Sequence, residues 1–118
     1  MTDAAEPTVI PYILVKNPAR AIDFYKSVFG AEECGARFTD PSGRIGHAEL
    51  QIGNSKIMLA DEHPPAHVFA PILFFIRVPD ADASVGRAIA AGATLTRPIA
   101  NEAYGERSGV VQDPFGHS

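Results

Sequence analysis

The 118-residue sequence predicts an α+β fold of two tandem βαβββ modules, and three observations lead there. The order strand, helix, strand, strand, strand can be read twice along the chain from its hydrophobic periodicity. The two halves overlay at a constant offset of 62, which places Ala19 on Ala81, Ala21 on Ala83, Gly30 on Gly92, Ala31 on Ala93 and Gly43 on Gly105. Between the halves lies a loop, DEHPPAHVFA, after which the pattern restarts. The expected organisation is a single domain over 1–118, with a first module at 8–62 and a second at 70–118.

In the first half, TVIPYILVKN is β-rich, and Pro11 within it marks an edge strand or a strand start. Asn17-Pro18 opens a helix, a side-chain cap followed by proline at the first helical position. Ile22, Tyr25, Val28 and Phe29 then share one face, and Gly30 stops the helix. A strand is expected around Glu33 to Phe38, then a Thr-Asp-Pro-Ser-Gly turn and the strand RIGHAELQI. Gly53-Asn54 reverses the chain into SKIMLA, the fourth strand. In the second half PILFFIRV reads as a strand. Asp80 caps a helix with Ala81, Val85, Ala88 and Ile89 on one face and Gly92 at its end. Gly86 inside that helix costs about 1 kcal/mol relative to alanine. ATLTRPIA and SGVVQ supply two further strands. Asp113-Pro114-Phe115-Gly116 is a tight turn in the place of Gly53-Asn54. A counterpart of SKIMLA is expected after it, so the sequence stops at the entrance to an eighth strand.

The composition narrows the function classes. Apolar residues make up 46%, charged residues 20%, and the net charge is −4. No basic run or basic–aromatic tract is present, which argues against nucleic acid, since affinity there rests on neutralising phosphates. MTDAAEPT has the character of neither a signal nor a transit peptide. No apolar run approaches the ~20 residues of a membrane span. Cys34 is alone, so no disulfide framework exists and a cytoplasmic location is expected. A packing role suits Cys34 better than a nucleophilic one.

PYILV, AIDFYKSVFGAEE, GRIGHAEL with IMLADE, and above all YGERSGVVQDPFGH resemble the glyoxalase/bleomycin resistance protein/dioxygenase group, the vicinal oxygen chelate superfamily, and within it a PhnB-like glyoxalase branch. The resemblance runs from about Ile10 onward. It implies a curved mixed sheet in which each module forms half of a cup around a ligand. In metal-dependent members of that superfamily, His and Glu ligands come from the first and fourth strands of each module. Here the corresponding positions fall on Ile10, with Tyr12 next on its face; on Met58, flanked by Lys56 and Ala60; and on Leu73, flanked by Phe75. The fourth lies beyond Ser118. Apolar side chains cannot replace imidazole or carboxylate at a zinc, nickel or iron site, so neither a metal nor another cofactor is expected.

The polar candidates each have a plain alternative. His47, Glu49 and Gln51 share one strand face, opposite Ala48, Leu50 and Ile52. If that face lines the cup, Glu49 binds a cationic group or acts as acid or base with His47; if it meets solvent, it does nothing specific. Tyr104 and Arg107 can clamp a carboxylate or phosphate, or Arg107 can pair with Asp113 or Glu106 and hold its loop. Asp61, Glu62, His63 and His67 hold plausible donors, but Pro64 and Pro65 exclude a helix between the histidines, and a solvated linker fits better. Tyr12, Met58 and Phe75 either line an apolar cavity or fill it as core. The leading expectation is metal-free binding of a small molecule, aromatic or cationic, for sequestration or drug resistance. The alternatives are an enzyme, metal-dependent or using Glu49 and His47 as acid and base, and a regulatory module whose cavity its own side chains fill. The resemblance also implies a homodimer.

Overall fold

The computed structural model describes residues 7–65, 68–103 and 105–118. Its first half runs β1 (Tyr12–Leu14), α1 (Pro18–Phe29), β2 (Glu32–Glu33), β3 (Phe38–Thr39), β4 (Ile45–Ile52) and β5 (Ser55–Ala60). Its second half contains α2 (Ala81–Ala90), β6 (Thr94–Asn101) and β7 (Arg107–Gln112). The first five strands form one mixed sheet in the order β1-β5-β4-β2, with β3 also on β4. Among the described residues only the β1–β5 pair is parallel; β6 and β7 make a separate antiparallel pair.

α1 forms where the sequence places it. The Asn17 side chain accepts from the Arg20 N–H, Pro18 takes the first helical position, and Gly30 ends the helix at φ 69°. Ala21, Ile22, Phe24, Tyr25 and Val28 are buried along one stripe. They pack with one face of the sheet, where Ile13, Ala48, Leu50 and Leu59 are at most 1% exposed. Burying the larger of these, such as Ile13, Ile22, Leu50 and Leu59, contributes roughly 1.5–3 kcal/mol each, before the entropy of ordering them. Pro11 precedes β1, which is an edge strand, as a residue without an N–H donor requires.

Three local expectations need correction. The strand expected around Glu33 to Phe38 is two short ones, because Gly35 turns the chain at φ 68°. In α2, Asp80 caps the helix as expected, but the covered residues are Ser84 and Ala88, while Ile89 is 46% exposed. PILFFIRV is extended without being part of a ladder. Among the described residues its backbone–backbone hydrogen bonds are made with Ser118: the Ser118 N–H donates to Ile72 O at 3.0 Å and the Phe74 N–H to Ser118 O at 2.7 Å.

The turn at Asp113-Pro114-Phe115-Gly116 forms, and its flanks join the two halves. One Asp113 carboxylate oxygen accepts from the N–H groups of Phe115 and His117, both at 2.9 Å; the other accepts from the Tyr25 hydroxyl on α1. His117 is 1% exposed. Its Nδ1 accepts from the Ile72 N–H at 2.9 Å, so Nε2 carries the proton and donates to Leu14 O at 2.9 Å. Burial, the Asp113 charge and the hydrogen bond to the Asp113 carboxylate together push the Tyr25 phenol far above its ordinary value of 10.0. Nearby, the Arg87 guanidinium donates to Val28 O at the end of α1 and to Ser84 Oγ, tying the two helices. No helix among the described residues is long and apolar enough to cross a membrane.

Candidate functional site

The alternation of β4 decides which way its polar residues face. Ala48 and Leu50 point into the core with α1, so His47 and Glu49 lie on the opposite, open face of the sheet. Strand register then fixes their neighbours. Met58 on β5 lies opposite Glu49, and Tyr12 on β1 lies beside Met58, so the same face carries Tyr12, Met58, Glu49 and His47. Phe38 of β3 pairs with His47 and is 62% exposed.

Three of these residues form a chain of polar contacts. The Tyr12 hydroxyl is 3.1 Å from His47 Nδ1 and 3.3 Å from Gly46 O. His47 Nε2 is 3.4 Å from Glu49 Oε1. The rings of Tyr12 and His47 are 5.6 Å apart at 47°. A proton on Nε2, directed at the Glu49 carboxylate, leaves the Nδ1 lone pair facing the phenol. A carboxylate thus orients an imidazole, which in turn orients a phenol. Partial burial raises the Tyr12 phenol above its ordinary value, which keeps it a neutral donor at neutral pH. The side chains of His47 and Glu49 remain 38% and 29% exposed, so a molecule on this face reaches both.

The remaining candidates lie elsewhere. Leu73 and Phe75, 76% and 67% exposed, stand on the extended segment of the second half, whose alternate residues Ile72 and Phe74 pack on the core. Phe75 and Arg107 line a cavity of about 720 Å³ in that half. A second cavity, about 1030 Å³, adjoins the same segment from the side of β5 and α1. Tyr12, His47, Glu49 and Met58 line neither, so the described candidates form two groups.

Arg107 pairs neither with Asp113 nor with Glu106. Its guanidinium grips Asp82 of α2 at 2.7 and 3.0 Å, because Asp113 is taken by Tyr25 and Glu106 by Arg77. Each partner answers in its titration: Asp82 is lowered and Arg107 raised, chiefly by their shared hydrogen bonds. Tyr104 and His67 lie outside the described residues.

In the linker, Asp61 accepts from the Ile45 N–H at 2.9 Å and Glu62 from the Phe69 N–H at 2.8 Å. These two carboxylates therefore hold backbone rather than standing in solvent. Among the described residues no three of His, Cys, Asp and Glu converge as metal donors. Sequence reasoning missed Phe38, whose only signal was its place at the end of an expected strand. It also left His117 without a role, because its partners Leu14 and Ile72 are far away in sequence.

Comparison with known proteins agrees with the fold. The chain is 38% identical over 122 residues to an uncharacterized protein of Mycobacterium bovis, a match that covers 95% of this chain and 80% of the relative. An uncharacterized protein of Mycobacterium tuberculosis matches at the same identity over 71% of its length. Among solved structures, a gene product of Arabidopsis thaliana superimposes with TM-score 0.72 at 27% identity, covering 95% of this chain and 94% of the other. TioX from Micromonospora sp. ML1 gives TM-score 0.68 at 25% identity, covering 94% and 90%. The fosfomycin resistance protein FosX from Mesorhizobium loti shares the fold, with TM-score 0.64 at 22% identity, covering 95% and 86%. A family profile matches residues 7–118, and the chain belongs to the Glyoxalase/Bleomycin resistance protein/Dioxygenase superfamily.

Proposed function

We propose that the protein binds a small organic molecule on the open face of its first half, without a metal, as a member of the PhnB-like branch. The observation that carries this reading is the Tyr12–His47–Glu49 chain on an accessible sheet face whose reverse is sealed core. Such a face offers a carboxylate to a cationic group, a phenol to an acceptor, and the rings of Tyr12, His47 and Phe38 to a flat apolar body. The donor set does not fit the metal site of the superfamily's metal enzymes: Ile10, Met58 and Leu73 offer no nitrogen or oxygen ligand. FosX, by its name a fosfomycin resistance protein, lends support to a role in resistance.

A second reading rests on the same contacts. A carboxylate-oriented imidazole is also a general acid–base unit, and a metal-free enzyme would use His47 and Glu49 in that way. Half a cup is one sheet face, and a second copy of the chain would supply the other wall, so the protein acts as a homodimer. Binding measured by titration calorimetry, on hits from a library of cationic and aromatic compounds, tests the proposal. The expected result is affinity that Tyr12→Phe and Glu49→Gln both weaken. Hits that neither substitution affects would move the site elsewhere. Glu49→Gln that abolishes turnover while sparing affinity would favour the enzyme.

A further inference from the structure

The cavity where the two halves meet gathers positive charge in a chain that is acidic as a whole. It measures about 1030 Å³ and lies between α1 and β5 on one side and residues 74–79 on the other. That size suits a small organic molecule. Val9, Phe29, Ile52, Phe74, Ile76 and Val78 give it an apolar lining. The basic residues along it are Lys26, Lys56, Arg77 and Arg87, and among the described residues no Asp or Glu lines it. The whole chain has 14 acidic residues against 10 basic ones, so the local balance is the reverse of the global one.

Arg87 decides the sign of the ligand. Its Nε and Nη2 donate to Val28 O at 3.3 and 3.2 Å, and Nη2 donates to Ser84 Oγ at 3.0 Å. Among the described residues no carboxylate pairs with it, and Nη1 makes no hydrogen bond. Two helices therefore hold the guanidinium in place with donors left over, which reduces the entropy lost when an anion arrives. Lys26, in the last turn of α1, reaches Glu33 at 3.6 Å with its side chain 42% exposed, a surface pair that yields readily to a competing anion. The carbonyl end of α1 explains why cations collect here. It does not call for the apolar lining beside them, whereas an amphiphilic anion uses both.

We infer that this cavity is a second ligand site, for an organic acid whose carboxylate meets Arg87 and Lys26 and whose apolar body lies against Phe29, Ile52, Phe74 and Ile76. Its charge preference is opposite to that of the open face, where Glu49 offers a carboxylate to a cation. The site therefore stands apart from the open-face reading and does not depend on it.

The test titrates the isotope-labelled full chain with naphthalene-2-carboxylate and, separately, with its neutral amide, naphthalene-2-carboxamide, and reads the amide shifts. The acid should give saturable shifts centred on Phe29, Ile52, Ile76 and Val78. It should bind about tenfold more tightly than the amide, and that preference should vanish in Arg87→Gln and fall about threefold in Lys26→Gln. Because Arg87 also ties the helices, Arg87→Gln counts only if its spectrum stays native. Lys26→Gln, which breaks a surface pair alone, carries the test otherwise. Equal affinity for acid and amide, a preference untouched by Lys26→Gln and by a native Arg87→Gln, or no saturable shift at all would overturn the site. Shifts centred instead on Tyr12, His47 and Glu49 would move the acid to the open face and overturn it as well.

Discussion

Two histidines, His117 after the last turn and His47 on β4, show how one residue type serves two ends. His117 is sealed, with both ring nitrogens committed to backbone groups from different halves of the chain. It belongs to a buried hydrogen-bond network with Asp113 and Tyr25. His47 has partners too, but they are side chains, Tyr12 and Glu49, and the group stays open to solvent. Backbone partners make a histidine part of the fold; side-chain partners on an open face make it available for chemistry. The same contrast separates DPFGH, which reads as a bare turn and proves to be the joint between the halves, from GHAEL, which reads as an alternating strand and presents the polar face.

Substitutions break or sharpen this contrast, from the largest effect to the smallest. His117→Ala should cost about 3–5 kcal/mol, combining a cavity with an unpaired Leu14 carbonyl and Ile72 amide. Chemical denaturation reads this directly, and a loss below 1 kcal/mol would mean that the joint is dispensable. Tyr25→Phe should cost about 1–3 kcal/mol by leaving the buried Asp113 oxygen without its donor. It also has a pH signature. The Tyr25 phenol titrates above its ordinary value in the folded state, so the unfolded chain loses that proton first as pH rises. The wild-type contribution is intact below pH 10 and declines above it, whereas in Tyr25→Phe this decline should vanish from the stability–pH curve.

On the open face the expected balance reverses. Glu49→Gln should change stability by less than about 0.5 kcal/mol, as surface changes do, yet weaken a cationic ligand about tenfold. Calorimetry and denaturation on the same variant check both halves of that statement. Smallest in size, and opposite in sign, is Gly86→Ala. A Cβ there meets nothing within 4 Å and the helix has no need of glycine, so Tm should rise, by roughly 0.5–1 kcal/mol of added stability.

Much of the fold was legible because its signals are local. Asn17-Pro18 with Gly30, Asp80 with Gly92, and the alternation in GHAELQI each fix an element through residues a few positions apart. PILFFIRV was misread because a strand is defined by its neighbour, and composition alone reports only an extended apolar segment. Ile89 was misplaced because helical periodicity identifies a face but not whether anything covers it. At the site, the face shared by His47 and Glu49 followed from alternation, whereas their meeting with Tyr12 and Met58 required the parallel register of β1 on β5. Arg107 found Asp82, 25 positions away, rather than the acids near it in sequence.

The most direct test of the open-face site is a fragment screen on isotope-labelled protein, read by amide and side-chain chemical shifts. Binding at the proposed site predicts perturbations centred on Tyr12, His47, Glu49 and Met58, lost in Glu49→Gln for cationic hits, with the His117 ring signals unmoved. Hits that map to other surfaces while those four residues stay silent would contradict it.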